Sequence, residues 1–435
     1  MNNNVKEYNV INNVFYLPNS SQIKVYKELN NFNLVSNNPS GVKVNSFKGE
    51  NSFSTNGGIY LTNRCPLRCR YCSFGTGNDG TTLSIGQIDT FLKLIIRNAM
   101  LRKTILKEKQ VKCFLQITGG GEPTSFPEKL EYCVRKFKEN CRNNNFIGYI
   151  SITTNLVCDI YRMKDIFKEI DRITVSYDGN CYAQNLNRPL KNNGNSSDIV
   201  EKNIIFLDSN KFPYGIRSTI DTEDNNLDLI DIYRNIAQKY KNCSFWQVEP
   251  VYKLGRGVEY NTSNLGFVKK YIKLLEYTNN IHASIEIINS DYCFLTKEVE
   301  CESITGRGLW MDAHGMLFNC PTQENYNEQA IGYVTDLEVV FKNRKNNYDS
   351  FVNDVYQNCS NCYAFEHCKG GCPVIMKRDK SGNLSEEAQD ICGSIKYFWM
   401  TFLTNLFNKK EYLGYRIIKN ELSDNNFDLF DIKKI

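Results

Sequence analysis

No run of about 18 apolar residues, the length a helix needs to span a bilayer, occurs in the sequence, so membrane-spanning helices are not expected. Charge of one sign is also missing. The 53 basic and 48 acidic residues are mixed along the chain and leave a net charge of +5, with no basic face or tail to suggest nucleic acid. The opening Met1-Asn2-Asn3-Asn4-Val5-Lys6 has neither the basic nor the apolar segment of a secretory signal, so a cytoplasmic location is expected. Histidine is scarce, with three in the chain. None lies near the first cysteine cluster, which removes the commonest partner for a mixed zinc site there.

Cysteine, by contrast, is abundant, at 17 residues. A disulfide framework would require export, so metal binding is the better expectation in a reducing compartment. Cys113, Cys133, Cys141, Cys158, Cys181 and Cys243 are scattered singly and read as buried small hydrophobes. Eight others lie between Cys293 and Cys392. The remaining three, Cys65, Cys69 and Cys72, form a Cys-x3-Cys-x2-Cys triad. Iron-sulfur clusters are commonly held by four thiolates, so a three-thiolate site leaves one iron open to a substrate or cofactor. A zinc knuckle with a distant fourth ligand is the competing reading, but structural zinc usually takes paired Cys-x2-Cys hooks.

A chain of 435 residues can bury one large core and carry smaller modules. Residues 1–55 are rich in Asn and Ser. They hold one plausible hairpin, Val14–Leu17 and Ile23–Tyr26 around the turn Pro18-Asn19-Ser20-Ser21, read as a region for peptide docking. Residues 56–285 alternate strands near 58–61, 113–117, 149–152, 173–176, 215–220 and 243–248 with helices near 84–102, after 127, and over 160–169, 197–207, 227–239 and 265–277. Six strands separated by helices imply a parallel α/β sheet, open or curved into a partial (β/α)6 barrel, with ligands at the strands' C-terminal ends. The triad follows the first strand. Residues 286–393 mix turn residues with cysteines and read as a separate, metal-stapled module. In 394–435, an amphipathic helix over 394–408 packs back on the body, and the tail after 411 carries no chemical signal.

After the second strand comes Thr118-Gly119-Gly120-Gly121-Glu122-Pro123-Thr124, whose glycines permit close backbone approach to a ligand. Together with Cys65-x3-Cys69-x-Tyr71-Cys72 this resembles the radical S-adenosylmethionine (SAM) superfamily. The resemblance implies a 4Fe-4S cluster on the triad, SAM on its open iron, Gly120, Gly121 and Glu122 near the methionyl ammonium, and the backbone near Tyr71 against adenine. It also assigns Ser176 and Arg188, twelve residues apart, to SAM's polar groups, and Asn155 of Thr153-Thr154-Asn155 to the ribose side. An arginine fork suits a carboxylate in geometry and charge. From the residues alone, the alternatives are an Asx turn for Asn155 and a solvated surface charge for Arg188.

Cys359-x2-Cys362-x5-Cys368-x3-Cys372, with Cys392 after it, Cys301 and Cys320 before it and Gly315 five positions ahead of Cys320, resembles the SPASM extension of peptide-modifying radical SAM enzymes. The resemblance implies two auxiliary 4Fe-4S clusters. Cys359, Cys362, Cys368 and Cys392 would close one; Cys301, Cys320 and Cys372 would hold the other, with Cys293 as its natural fourth ligand. Two zinc sites are the alternative on spacing. The implied partners are a ribosomally made precursor peptide and an external one-electron reductant, flavodoxin or ferredoxin, and the implied product is a thioether or carbon-carbon crosslink. Formylglycine formation in a sulfatase and peptide epimerisation are the other branches. Sulfatase-type relatives carry an aspartate after the cysteine matching Cys320, and here Pro321 stands there. A non-enzymatic iron-sulfur electron carrier would need the cysteines but neither the glycine motif nor Ser176 and Arg188.

Overall fold

The computed structural model describes residues 8–11, 14–17, 22–26, 54–74, 80–105, 107–224, 227–290, 292, 308–321, 330–335, 359, 362–368, 370–372, 374–376, 383–421 and 427–434. Three short strands open the chain, β1 (Tyr8–Ile11), β2 (Val14–Leu17) and β3 (Gln22–Tyr26). The expected hairpin is present, with β2 antiparallel to β3 and Val14 opposite Val25.

The body alternates strand and helix: β4 (Asn56–Ile59), α1 (Ile85–Ile105), β5 (Lys112–Ile117), α2 (Pro127–Asn143), β6 (Ile147–Thr154), α3 (Ile160–Lys168) and β7 (Arg172–Ser176). It continues with α4 (Cys181–Asn187), α5 (Ser197–Ser209), β8 (Tyr214–Ile220), α6 (Leu229–Lys239), β9 (Phe245–Pro250), α7 (Asn264–Asn280) and β10 (Glu286–Ile288). All pairings from β4 through β10 are parallel and follow chain order. The sheet then extends past β4 through β11 (Trp310–Met311), β12 (Met316–Phe318) and β13 (Gly332–Tyr333). It remains open among the described residues, the partial-barrel form of the expected α/β fold.

Local sequence explains these elements. Along β5 the burial alternates strictly, with Cys113, Leu115 and Ile117 inside, as a two-residue period demands. In α2, Leu130, Cys133, Val134, Phe137 and Cys141 occupy one buried stripe at helical spacing. Asp159, Asp228 and Ser263 cap α3, α6 and α7 with side-chain oxygens on orphan amides. Gly57 and Gly58 in β4 leave room on both faces. A Cβ at Gly57 would lie 2.3 Å from Ile95 of α1, and one at Gly58 would lie 2.0 Å from the Trp310 ring.

Several features depart from the sequence reading. Cys113, Cys133, Cys141 and Cys243 are buried, but Cys158 is half-buried and Cys181 is exposed. Cys181 opens α4 just after its cap Asn180, and its thiol meets Glu201 at 3.1 Å. The C-terminal helix starts at Glu386, eight residues before the expected 394, because Ser385 caps it and Glu386 and Glu387 suit its first turn. Its Asp390 in turn accepts from the amides of Asn264 and Leu265 at the start of α7. The tail forms β14 (Glu411–Tyr412), β15 (Tyr415–Lys419) and β16 (Phe427–Lys434). Strand β16 lies between β15 and β3, giving a second, antiparallel sheet in the order β1-β2-β3-β16-β15-β14.

Candidate active site

Because β4 through β9 run parallel, their C-terminal ends share one edge, and the polar motifs gather there. The loop from Arg64 to Cys72 leaves β4 and is held on three sides. From α4 and the turn after it, Asn187 and Pro189 accept from Arg70 and Arg68 at 2.8 Å, and Lys191 donates to Pro66 at 2.9 Å. From the β5 side, Gly121 and Glu122 amides donate to Thr62 and Arg64 carbonyls at 2.7 Å. From beyond β9, Arg256 donates through its amide to the Cys72 carbonyl and through Nε to the Cys69 carbonyl, both at 2.9 Å. A loop pinned by backbone bonds on each flank has few ways to relax.

Cys65, Cys69 and Cys72 are each half-buried. Burial, with the Glu122 carboxylate behind it, pushes the Cys65 thiol up to about 12. Burial likewise pushes Cys69 up to about 11, opposed by the Arg188 guanidinium. The neighbouring triad sulfurs add to both shifts, Cys69 and Cys72 at Cys65 and Cys72 at Cys69. Thiols this reluctant to ionise become thiolates when iron takes the proton's place, and the donor set fits a cluster. Among the described residues no three His, Cys, Asp or Glu side chains are grouped as they would be around a single metal ion. Asn155 Nδ2 donates to Cys65 Sγ at 3.4 Å, the type of outer contact that tunes cluster sulfurs.

The glycine motif does more for the protein than its sequence reading anticipated. Gly119 and Gly120 have φ of +57° and +61°, where a side chain is strained. At Gly121 a Cβ would lie 2.1 Å from the Arg64 carbonyl oxygen. Its glycine is therefore required by the triad loop pressing on it. The Glu122 carboxylate is buried and spent internally. It accepts from Thr124 N at 3.1 Å, Thr124 Oγ1 at 2.8 Å, Thr154 Oγ1 at 2.6 Å and Asn155 N at 2.7 Å. Burial still raises its pKa against those four bonds. Asn155 builds the Asx turn, its Oδ1 accepting from Val157 N, while its amide nitrogen reaches Cys65, a contact the sequence reading did not anticipate.

Ser176 ends β7, half-buried. Two residues on, Asp178 is fully buried and was not assigned from sequence. It accepts from the Tyr71 hydroxyl, from Arg188 Nε at 3.0 Å and from Thr219 N at 3.2 Å. The Arg188 guanidinium lies 5.1 Å above the Tyr71 ring and is itself buried, so it is no solvated surface charge. Arg256 was also missed. Its signal was the same as for the other motifs, since Gly255-Arg256-Gly257 follows a strand end, and Gly255 has φ +54° with Cys72 O 2.4 Å from where a Cβ would sit.

The second cysteine array adjoins this edge. Cys320 follows β12, and the Tyr60 hydroxyl just beyond β4 donates to the Pro321 carbonyl at 2.9 Å. Asn63 Nδ2 and His314 Nε2 lie 3.4 Å apart across the same seam. Cys359, Cys362, Cys368, Cys372 and Cys392 are half-buried. The Cys362 thiol is raised by burial and by the nearby Cys392 on the C-terminal helix. Cys293 and Cys301 lie outside the described residues.

Residues 59–236 match the Radical SAM superfamily. They form a radical SAM domain. Such domains bind SAM and a 4Fe-4S cluster. The chain is 27% identical over 284 residues to an uncharacterized protein of Methanocaldococcus jannaschii, spanning 64% of this chain and 88% of that one. It is 22% identical over 377 residues to a cysteine-type anaerobic sulfatase-maturating enzyme of Clostridium perfringens, spanning 79% and 95%. Its fold resembles anSMEcpe with bound AdoMet and Kp18Cys peptide, with TM-score 0.64, 18% identity and coverage of 81% and 99%. It also resembles Streptococcus suis SuiB bound to precursor peptide SuiA, with TM-score 0.57, 14% identity and coverage of 79% and 78%. Around its radical SAM domain the chain thus shares the fold of these two solved structures.

Proposed function

We propose that this radical SAM protein is a peptide maturase that installs a thioether or carbon-carbon crosslink in a ribosomally made peptide, drawing electrons from a flavodoxin or ferredoxin. When bound, the cluster and SAM supply reductive cleavage of SAM to methionine and a 5'-deoxyadenosyl radical that abstracts hydrogen from a substrate carbon. The chain's own residues bind and orient. Cys65, Cys69 and Cys72 would hold the cluster, the pinned loop fixes their spacing, Arg188 would meet the SAM carboxylate, Ser176 its other polar groups and Asn155 its ribose side, and Glu122 ties the β5 and β6 ends together. Cys359, Cys362, Cys368 and Cys392 would hold one auxiliary cluster, and Cys301, Cys320, Cys372 and Cys293 the other.

The observation that carries the crosslinking reading is the end of β12. Pro321 follows Cys320, and its carbonyl is taken by Tyr60, so this position offers no carboxylate to serve as a base. A second reading, formylglycine formation, draws on the Clostridium perfringens relative, of which the alignment spans 95%. The protein, reconstituted anaerobically with iron and sulfide and given dithionite and SAM, is expected to release 5'-deoxyadenosine. Absence of cleavage with intact clusters would favour the electron carrier instead. Replacing Cys65, Cys69 and Cys72 with Ala should abolish cleavage while auxiliary iron remains, whereas Cys362→Ala should lower total iron.

A further inference from the structure

Asp178 is the most completely enclosed carboxylate at the strand ends, and its partners come from three elements. Tyr71 belongs to the triad loop, Arg188 to the segment after α4 and Thr219 to β8. Its backbone is fixed as well. The Asp178 amide donates to Gln184 Oε1 at 3.1 Å, Gln184 Nε2 donates to Ser196 Oγ at 3.0 Å, and Ser196 Oγ donates to the Arg188 carbonyl at 2.7 Å. Gln184 and Ser196 are themselves fully buried. The backbones of the acid and the arginine are thus joined by one chain of hydrogen bonds, and their side chains by another.

A buried ion pair is a weak source of stability, because desolvation offsets much of the attraction. Its geometric effect is larger. With Nε committed to Asp178 and Nη2 reaching Thr219 Oγ1 at 3.5 Å, the guanidinium plane is set, and the remaining N–H donors can meet an incoming carboxylate. The same carboxylate holds the Tyr71 hydroxyl, one residue from Cys72, beneath that guanidinium. Outer partners of this kind orient the groups that bind.

We propose that Asp178 is a positioning residue that sets Arg188 and Tyr71 as one unit for SAM binding. This rests on the reading of Arg188 given above. The test uses the full chain, anaerobically reconstituted, with iron content, SAM affinity by equilibrium dialysis of labelled SAM, and the electron paramagnetic resonance spectrum of the reduced protein with and without SAM. Asp178→Asn keeps the shape but loses the charge and one acceptor. It should retain iron, bind SAM about tenfold more weakly, as expected for a lost charge-assisted hydrogen bond, and show a diminished SAM-induced spectral change. Tyr71→Phe should weaken SAM binding less, and the double variant should be no worse than Asp178→Asn alone, since both act through one carboxylate. Wild-type affinity and a full spectral change in Asp178→Asn would overturn the proposal. Should that variant fail to fold, Tyr71→Phe decides: retained iron with wholly unchanged affinity overturns it. A wild-type protein that holds iron yet binds no SAM sinks the proposed function itself, and this inference with it.

Discussion

At the residue scale, the site depends on close approach. Gly121→Ala would place a methyl 2.1 Å from the Arg64 carbonyl oxygen, a backbone atom with no flexible end to yield. The cost is expected to exceed the roughly 1–3 kcal/mol typical of overpacking, seen as loss of soluble protein or of bound iron. Retention of both would mean the triad loop is looser than described. The thiols give a second expectation. In the cluster-free protein, burial holds Cys65 near 12 and Cys69 near 11, so their neutral forms dominate at pH 8. Because the thiolate is the nucleophile, alkylation by iodoacetamide should quicken about tenfold per pH unit from pH 8 toward 11. A plateau near pH 8.5, mapped by peptide mass analysis to these two residues, would contradict it. The triad was legible in sequence by its spacing, and Gly120-Gly121-Glu122 stood out through the family resemblance that the triad carries. The role of Asp178 was not, because its meaning comes from partners 107, 10 and 41 positions away.

At the element scale, strands and helices of the body fell close to where periodicity put them. The hydrophobic alternation of β5 and the buried stripe of α2 are local signals, and they need no partner to be read. Strand β16 is the opposite case. Its apolar content only acquires a role once it pairs with β3, with Phe430 opposite Ile23 some four hundred positions earlier in the chain. A chain truncated after Glu421 loses the strand between β3 and β15, and its unfolding temperature should fall while 5'-deoxyadenosine formation per cluster persists. An unchanged unfolding temperature would show that the second sheet adds little. The C-terminal helix is bound more deeply. Trp399 is 2% exposed and packs edge-on to Phe398 and Phe402. Trp399→Ala is expected to destabilise by about 3–5 kcal/mol. Since the same helix carries Cys392, auxiliary iron should fall with it.

At the scale of the whole molecule, one continuous sheet joins the two cysteine groups. Strand β11 pairs in parallel with β4, the strand that leads into the triad, and β12 leads to Cys320. The Tyr60 hydroxyl and the Asn63 side chain cross the seam between them. The spacing of the cysteines divided them into two groups, but did not reveal that one sheet runs from the triad strand to Cys320, because β11 and β12 are only two and three residues long. The crosslinking proposed above is expected at the strand ends, beside the triad loop. The most direct measurement is mass spectrometry of a short Cys-rich precursor peptide, encoded beside the gene and co-expressed with the protein under anaerobic conditions. The account predicts the loss of two hydrogens per crosslink, absent when Cys65, Cys69 and Cys72 are replaced. An unchanged peptide with every neighbouring candidate, or formylglycine appearing in a sulfatase peptide instead, would contradict it.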